Sequence, residues 1–123
     1  MKLRFRNNSL RLRLNRREAE SIAAGSALKE QVSFPEGTTF SYALEATARI
    51  QPEASFQQGT IRIAAPSFEL KNWAVSSAIG IYFELPVNGS VLKIAIEKDL
   101  ECVEAAPEER DPDAFPRSAC NNC

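Results

Sequence analysis

Three cysteines near the end of the chain are the residues whose type and spacing point most directly to chemistry. Cys120 and Cys123 have the two-residue separation of a zinc knuckle or a redox pair, and Cys102 precedes them. A structural zinc site takes four thiolate or imidazole ligands in a tetrahedron, and the chain has three cysteines and no histidine. A zinc site would therefore need a carboxylate from Asp111 or Asp113, or a ligand from a second chain.

Two other interpretations of the cysteines stay open. A redox pair requires a lowered thiol pKa, as at a helix N-terminus, and no helical pattern follows Cys120. Reduced, unliganded thiols are the interpretation that the odd number of cysteines favours. We therefore expect no bound cofactor, with zinc as the alternative.

Basic residues at the start of the chain could bind an anion or an anionic partner. Apolar and basic residues alternate on both sides of Asn7-Asn8, a pattern that predicts a β-hairpin. One face of this hairpin is apolar, and the other carries Lys2, Arg4, Arg6, Arg11 and Arg13. The register places Arg4 opposite Arg11, and like charges directly opposite each other destabilise a strand pair. We therefore expect acidic groups to lie over this face.

Acidic residues late in the chain could supply that negative charge. If the last strand persists, Glu97, Asp99 and Glu101 share one face with Lys93. Ion pairs between the two ends of one sheet are the interpretation we favour. The alternative is a site for a divalent ion and a phosphate ester or anhydride, in an enzyme of that class. We do not expect nucleic acid as a partner, because the outward positions of the hairpin carry no aromatic residue, Phe5 being on the apolar face, and the net charge is −1.

Hydrophobic periodicity predicts a single α+β domain over residues 1–103 and an acidic, proline-containing tail with the cysteine pair over 104–123. About eight short strands are expected, with two helices packed on one face of the sheet. The first helix follows Asn15 and Glu18, which form a capping-box pattern, and the second begins at Pro66-Ser67. Short hairpin connections, of which Asn88-Gly89 is the firmest, favour a mostly antiparallel sheet.

Composition sets the broad class of the protein. The chain has 123 residues, of which 44% are hydrophobic and 25% are charged, as in ordinary single-domain globular proteins. No apolar segment follows the basic start as in a signal peptide, and no run is long enough to cross a membrane. With no histidine and no glycine-rich phosphate loop, the sequence favours a non-enzymatic interaction module in the cytoplasm. A small metal-binding protein and a phosphate-ester or anhydride enzyme remain as alternatives.

Two segments of the chain also suggest a family. The opening MKLRFRNNSLRLRL and the stretch IEKDLEC at residues 96–102 resemble a family of small bacterial proteins of unknown function. The resemblance extends to Asp111, Asp113, Phe115 and Pro116, whereas Arg117-Ser118 replaces the Asn-Pro of the usual ending of the family. The resemblance implies a single-domain bacterial protein and no particular activity.

Overall fold

The computed structural model describes residues 1–100 and 112–116, which form eight strands and two helices. The strands are β1 (Lys2–Arg6), β2 (Ser9–Leu14), β3 (Leu28–Ser33), β4 (Thr39–Thr47), β5 (Glu53–Gln57), β6 (Thr60–Pro66), β7 (Gly80–Val87) and β8 (Ser90–Lys98). The helices are α1 (Arg16–Ala23) and α2 (Ser67–Val75), and a short 3₁₀ turn, Pro35–Gly37, connects β3 to β4. Neither helix has the length and apolar character needed to span a membrane.

The strands form two four-stranded sheets, with the orders β1-β2-β8-β7 and β3-β4-β6-β5. Each sheet consists of two antiparallel hairpins joined in the middle by a parallel pair, β2 with β8 and β4 with β6. The predicted α+β class and its mostly antiparallel strands are confirmed. The division into two sheets and the parallel pairs were not predicted, because they join strands that are distant in sequence and have no turn signal between them.

The predicted hairpin registers are confirmed. In the first hairpin Leu3 pairs with Leu12 and Arg4 pairs with Arg11, as the alternation indicated. In the last hairpin the opposite-charge pair predicted from the Asn88-Gly89 turn is present between β7 and β8. The registers fix which side chains point to the core, since successive residues of a strand face opposite sides of the sheet.

The two halves of the chain repeat one arrangement. A hairpin, a helix and a second hairpin follow one another in β1-β2-α1-β3-β4 and again in β5-β6-α2-β7-β8. If each strand is replaced by its counterpart in the other half, the strand order of the first sheet becomes that of the second. The sequences match at the same positions, since Phe5 corresponds to Phe56 and Leu12 to Ile63. The fold is therefore an internal duplication whose halves share both sheets.

A single hydrophobic core joins both sheets and both helices. Its fully buried side chains include Leu12 and Ile96 from the first sheet and Leu44 and Ile63 from the second. The helices follow the open ends of the hairpins and pack against each other and against strands of both sheets. They close one end of the core, and the four strand-to-strand turns lie at the other, which we call the turn end.

The predicted first helix cap is also present. The Asn15 side chain accepts a hydrogen bond from the Glu18 backbone N–H, and the Glu18 carboxylate accepts one from the Asn15 N–H, at 2.9 and 3.0 Å. This capping box satisfies two backbone donors that the first turn of a helix leaves unpaired. It fixes where the chain leaves β2 and begins α1.

A buried lysine lies at the helix end of the core. The Lys98 Nζ donates a hydrogen bond to the Ser76 carbonyl at 2.6 Å. It also lies 5.9 Å from the ring centre of Trp73 and 5.3 Å from that of Phe115, so both rings contact the cation. The backbone N–H of Phe115 donates to the Asp99 carbonyl at 2.8 Å, which holds residues 112–116 against the domain.

The pH dependence of stability should report the burial of Lys98. Burial lowers the pKa of Lys98 below its ordinary 10.5. Between the lowered pKa and 10.5 the unfolded chain binds more protons than the folded chain, so the contribution of Lys98 to stability rises with pH in that window. In urea titrations we expect the free energy of unfolding of the wild type to increase relative to that of Lys98→Met as the pH rises toward 10.5. A difference that stays constant or falls with pH would contradict this effect of burial.

Candidate functional site

The outer face of the first sheet carries all five residues of the predicted cationic site. Strand alternation turns the apolar side chains of β1, β2 and β8 toward the core and their basic side chains outward, with the exception of the buried Lys98. We call this surface the basic face, and its basic members are Lys2, Arg4, Arg6, Arg11, Arg13 and Lys93. The parallel pairing of β2 with β8 adds Lys93 to the five basic residues of the first hairpin.

An open cavity of about 520 Å³ lies on the basic face. Its charged and polar lining comes from all four strands of the sheet: Arg4, Arg6, Ser9, Arg11, Tyr82, Glu84 and Lys93. This volume falls in the range of about 300–1,000 Å³ that is typical of small-molecule sites in proteins. The cavity therefore combines a concave shape with a concentration of positive charge.

Glu97 supplies part of the negative charge that the like-charged pairs require. Its carboxylate lies 3.2 Å from the Arg11 Nε and 3.8 Å from the Arg13 Nε, and it accepts a hydrogen bond from the Tyr82 hydroxyl at 2.9 Å. Partial burial, followed by this hydrogen bond to Glu97, raises the pKa of Tyr82. Glu97 thus neutralises part of the positive charge that Arg11 and Arg13 contribute to the basic face.

A second ion pair joins the start of β1 to the residue that follows β8. The Lys2 Nζ lies 2.8 Å from the Asp99 carboxylate, and the Asp99 backbone N–H donates to the Leu14 carbonyl at 2.8 Å. Together with the Glu97 pairs, this contact confirms the predicted ion pairing between the two ends of one sheet, here between the first hairpin and the end of β8. Glu101, the third acid of that prediction, lies outside the described residues.

Arg4, Arg6 and Lys93 differ from the other basic residues of this face. All three are exposed and line the cavity. No salt bridge within residues 1–100 and 112–116 involves any of them. Among the described residues, the charges of Arg4 and Arg6 are therefore available to a ligand, whereas Lys93 lies opposite Glu84 in the strand register and Arg11 and Arg13 are partly neutralised by Glu97.

The duplicated half provides an internal comparison. Arg62 pairs with Glu45 in the second sheet, at the positions that correspond to Arg11 and Glu97 in the first. This ion pair is therefore common to both halves and belongs to the fold. In contrast, Ser55 and Gln57 take the positions that correspond to Arg4 and Arg6. Arginines that make no ion pair with the described part of the chain therefore distinguish the first sheet from the second.

The predicted metal ligands are only partly within the described residues. Cys102, Cys120, Cys123 and Asp111 lie outside them. The Asp113 carbonyl accepts a hydrogen bond from the Arg16 N–H at 2.8 Å, and its carboxylate lies 3.7 Å from the Arg17 Nε. Across residues 1–100 and 112–116, no three cysteine, aspartate or glutamate side chains are grouped as metal ligands would be. The zinc site stays a prediction.

The sequence did not predict that side chains of β7 contribute to the cavity. Tyr82 and Glu84 reach the basic face from β7, where Tyr82 is 63% exposed. Their outward direction follows from the predicted register of the last hairpin. Their proximity to the first hairpin depends on the parallel pairing of β2 with β8, for which the local sequence has no signal.

Comparisons with known proteins give a family and no relative of known activity. A family model described as "Family of unknown function (DUF7009)" matches residues 1–119. No curated protein and no solved structure matches the chain.

Proposed function

The chain belongs to DUF7009, a family of unknown function, and from that premise we propose that it is a non-enzymatic module that binds an anionic ligand or partner on its basic face. The observation that carries the proposal is the exposure of Arg4 and Arg6, without an acidic partner among the described residues, over a cavity of about 520 Å³. Exposed arginines that line a concavity are suited to a ligand with clustered anionic oxygens.

The chemistry of arginine supports this assignment. A guanidinium group presents its donors in a planar fork that matches the oxygens of a carboxylate or phosphate group. Arg4 and Arg6 point to the same side of β1 and are separated by roughly 6.6 Å along the strand, from the rise of two residues. Lys93 adds a third charge from β8 on the far side of Ser9, which pairs with Arg6 on β1 and with Lys93 on β8. A ligand with two or more anionic groups can therefore contact several cations at once.

The lining of the cavity favours binding over catalysis. Among the described residues that line it, Glu84 alone carries a carboxylate. A divalent ion engaged in phosphate chemistry takes several oxygen ligands, commonly carboxylates, and Glu97 is already engaged with two arginines and Tyr82. The phosphate-ester or anhydride enzyme is therefore less well supported than the binding module.

We further propose that the module acts in the bacterial cytoplasm. An odd number of cysteines is suited to a reducing compartment, and the sequence resemblance is to bacterial proteins. The partner would then be an acidic protein segment or a phosphorylated metabolite.

The experiment that tests the proposal compares two equivalent glutamates. We expect isothermal titration to detect binding of tripolyphosphate or hexaglutamate to the wild type. Glu97→Gln should bind the same probe about three- to tenfold more tightly at low salt, because Arg11 and Arg13 lose their neutralising partner. Glu45→Gln removes the corresponding acid of the second sheet and should leave the affinity unchanged.

Both glutamate variants should lose stability, by about 0.2–1 kcal/mol, since each removes the acid of an ion pair whose arginine is exposed to solvent. Urea unfolding measures this loss separately from binding. No binding of either probe to the wild type would contradict the proposal. Equal changes of affinity in both variants would also contradict it, because they would show a response to net charge alone.

A further inference from the structure

A second cavity, of about 580 Å³, lies between the two sheets at the turn end of the core. Its lining is apolar and comes from both halves of the chain: Phe5, Leu10 and Leu92 from the first sheet, and Phe40, Phe56 and Ile61 from the second. Protein interiors are close-packed, with few voids larger than a water molecule. An open apolar space of this size between two sheets is therefore a feature of a binding site more than of a core.

Exposed apolar side chains surround the mouth of this cavity. Phe5 is 58% exposed and its counterpart Phe56 is 68% exposed, and both line the cavity one residue before the end of their strands. Val87 lines it at the end of β7, and Phe34 is exposed beside the turn between β3 and β4. Three of the four hairpins thus contribute an exposed apolar residue to the lining at the turn end, which indicates an apolar ligand.

The lining selects the kind of apolar ligand. A peptide segment would bring backbone N–H and C=O groups into the cavity, and each such group costs free energy unless it is hydrogen-bonded. Ser55 is the one polar side chain among the described residues that line the cavity. An aliphatic chain has no polar groups to satisfy, and the volume is sufficient for one drug-sized ligand.

The charge beside the cavity indicates the head of the ligand. Leu10 lines both cavities, so the apolar cavity and the basic face adjoin at the tip of the first hairpin. There Phe5 lines the apolar cavity, and the next residue, Arg6, lines the cationic one. Arg6 is exposed and makes no ion pair within the described part of the chain, so it is available to an anionic group at the mouth.

We propose that the cavity between the sheets binds the aliphatic chain of a single anionic amphiphile, a long-chain carboxylate, with its head group at Arg6. The proposal goes beyond recognition of anions on the basic face, because it assigns a ligand to the opposite side of the same sheet. The two sites share Arg6 and no other charged residue.

Titration with a series of monomeric amphiphiles tests the proposal. Octanoic, decanoic and dodecanoic acids, each below its micelle concentration, should bind with an affinity that rises about fourfold per methylene, as expected for transfer of CH₂ groups from water. Arg6→Ala should weaken the binding of dodecanoic acid and leave that of dodecanol unchanged. An affinity independent of chain length would overturn the proposal.

A variant that fills the cavity separates this site from the basic face. Ala54 lines the cavity, and Ala43 points to the outer side of the same sheet. Ala54→Trp should lose dodecanol and dodecanoic acid binding while keeping the tripolyphosphate affinity of the wild type, and Ala43→Trp should keep both. If Ala54→Trp does not fold, Phe56→Asp, at an exposed position, should lose amphiphile binding in its place.

Two further results would overturn the assignment of one monomeric amphiphile to this cavity. The first is retention of dodecanoic acid binding by folded Ala54→Trp or Phe56→Asp. The second is sedimentation of the wild type with phosphatidylglycerol vesicles when no monomeric amphiphile binds, which would show that the apolar rim contacts a membrane surface.

Discussion

Replacing Trp73 with alanine is expected to lower the free energy of unfolding by about 3–5 kcal/mol, the range for truncation of a buried aromatic side chain. Trp73 is 2% exposed and belongs to the core that joins both sheets and both helices. Its Nε1 donates a hydrogen bond to the Ile79 carbonyl at 3.0 Å, and its ring contacts the Lys98 cation. The substitution therefore removes packing, a hydrogen bond and one partner of a buried charge.

Circular dichroism during urea unfolding measures this effect, because Trp73 is the only tryptophan and its fluorescence is lost with it. Phe68→Ala is the matched control, since Phe68 is on the same helix and is 59% exposed. We expect the control to change stability by about 0.5 kcal/mol or less. Equal losses in both variants would show that α2 does not close the core as described.

The second large effect concerns the anion site. Arg4→Ala/Arg6→Ala is expected to weaken binding of tripolyphosphate by at least about a hundredfold, since hydrogen bonds to charged groups contribute about 1.5–3 kcal/mol each. Stability should be unchanged, or should rise slightly, because Arg4 lies opposite Arg11 in the hairpin and this like-charge repulsion is removed. Isothermal titration and urea unfolding of the same preparation measure both quantities.

A charge-matched control separates the site from the net charge of the protein. Lys29→Ala/Lys71→Ala removes two exposed cations that line neither cavity. We expect this variant to bind tripolyphosphate within about twofold of the wild type, since distant surface charges are largely screened at physiological salt. A loss as large as that of the arginine variant would mean that no specific site exists on the basic face.

The hairpins were predictable because their signals are local. Alternation around Asn7-Asn8 and Asn88-Gly89 fixed the registers to the residue, since a shift by one would turn the apolar face to water. The capping residues Asn15 and Glu18 fixed the start of α1 for the same reason. In each case the residues that determine the structure are neighbours in sequence.

The arrangement of the hairpins was not predictable in this way. The pairing of β2 with β8 joins residues that are more than half the chain apart. Several strand orders are compatible with burial of the apolar faces of the hairpins. The duplication did leave a trace, since the sequence around Phe5 and Arg11 recurs around Phe56 and Arg62. Aligning the chain with itself would have predicted two equivalent halves.

The candidate site was also predictable only where its residues are close together in sequence. The basic residues of the first hairpin were predicted from alternation, whereas the contribution of Tyr82 and Lys93 to one cavity depends on which hairpin lies beside the first. The apolar cavity was not predicted, because Phe5 and Phe56 have the sequence pattern of core residues. Only the separation of the two sheets at the turn end leaves them exposed.

Amide chemical shifts followed by NMR during titration with tripolyphosphate test the central claim most directly, because they report where an anion binds on the folded protein. The claim predicts the largest shifts in β1, β2 and β8, around Arg6, Ser9 and Lys93, with β5 and β6 unchanged. Shifts that concentrate on the second sheet, or that are absent at saturating probe, would contradict it.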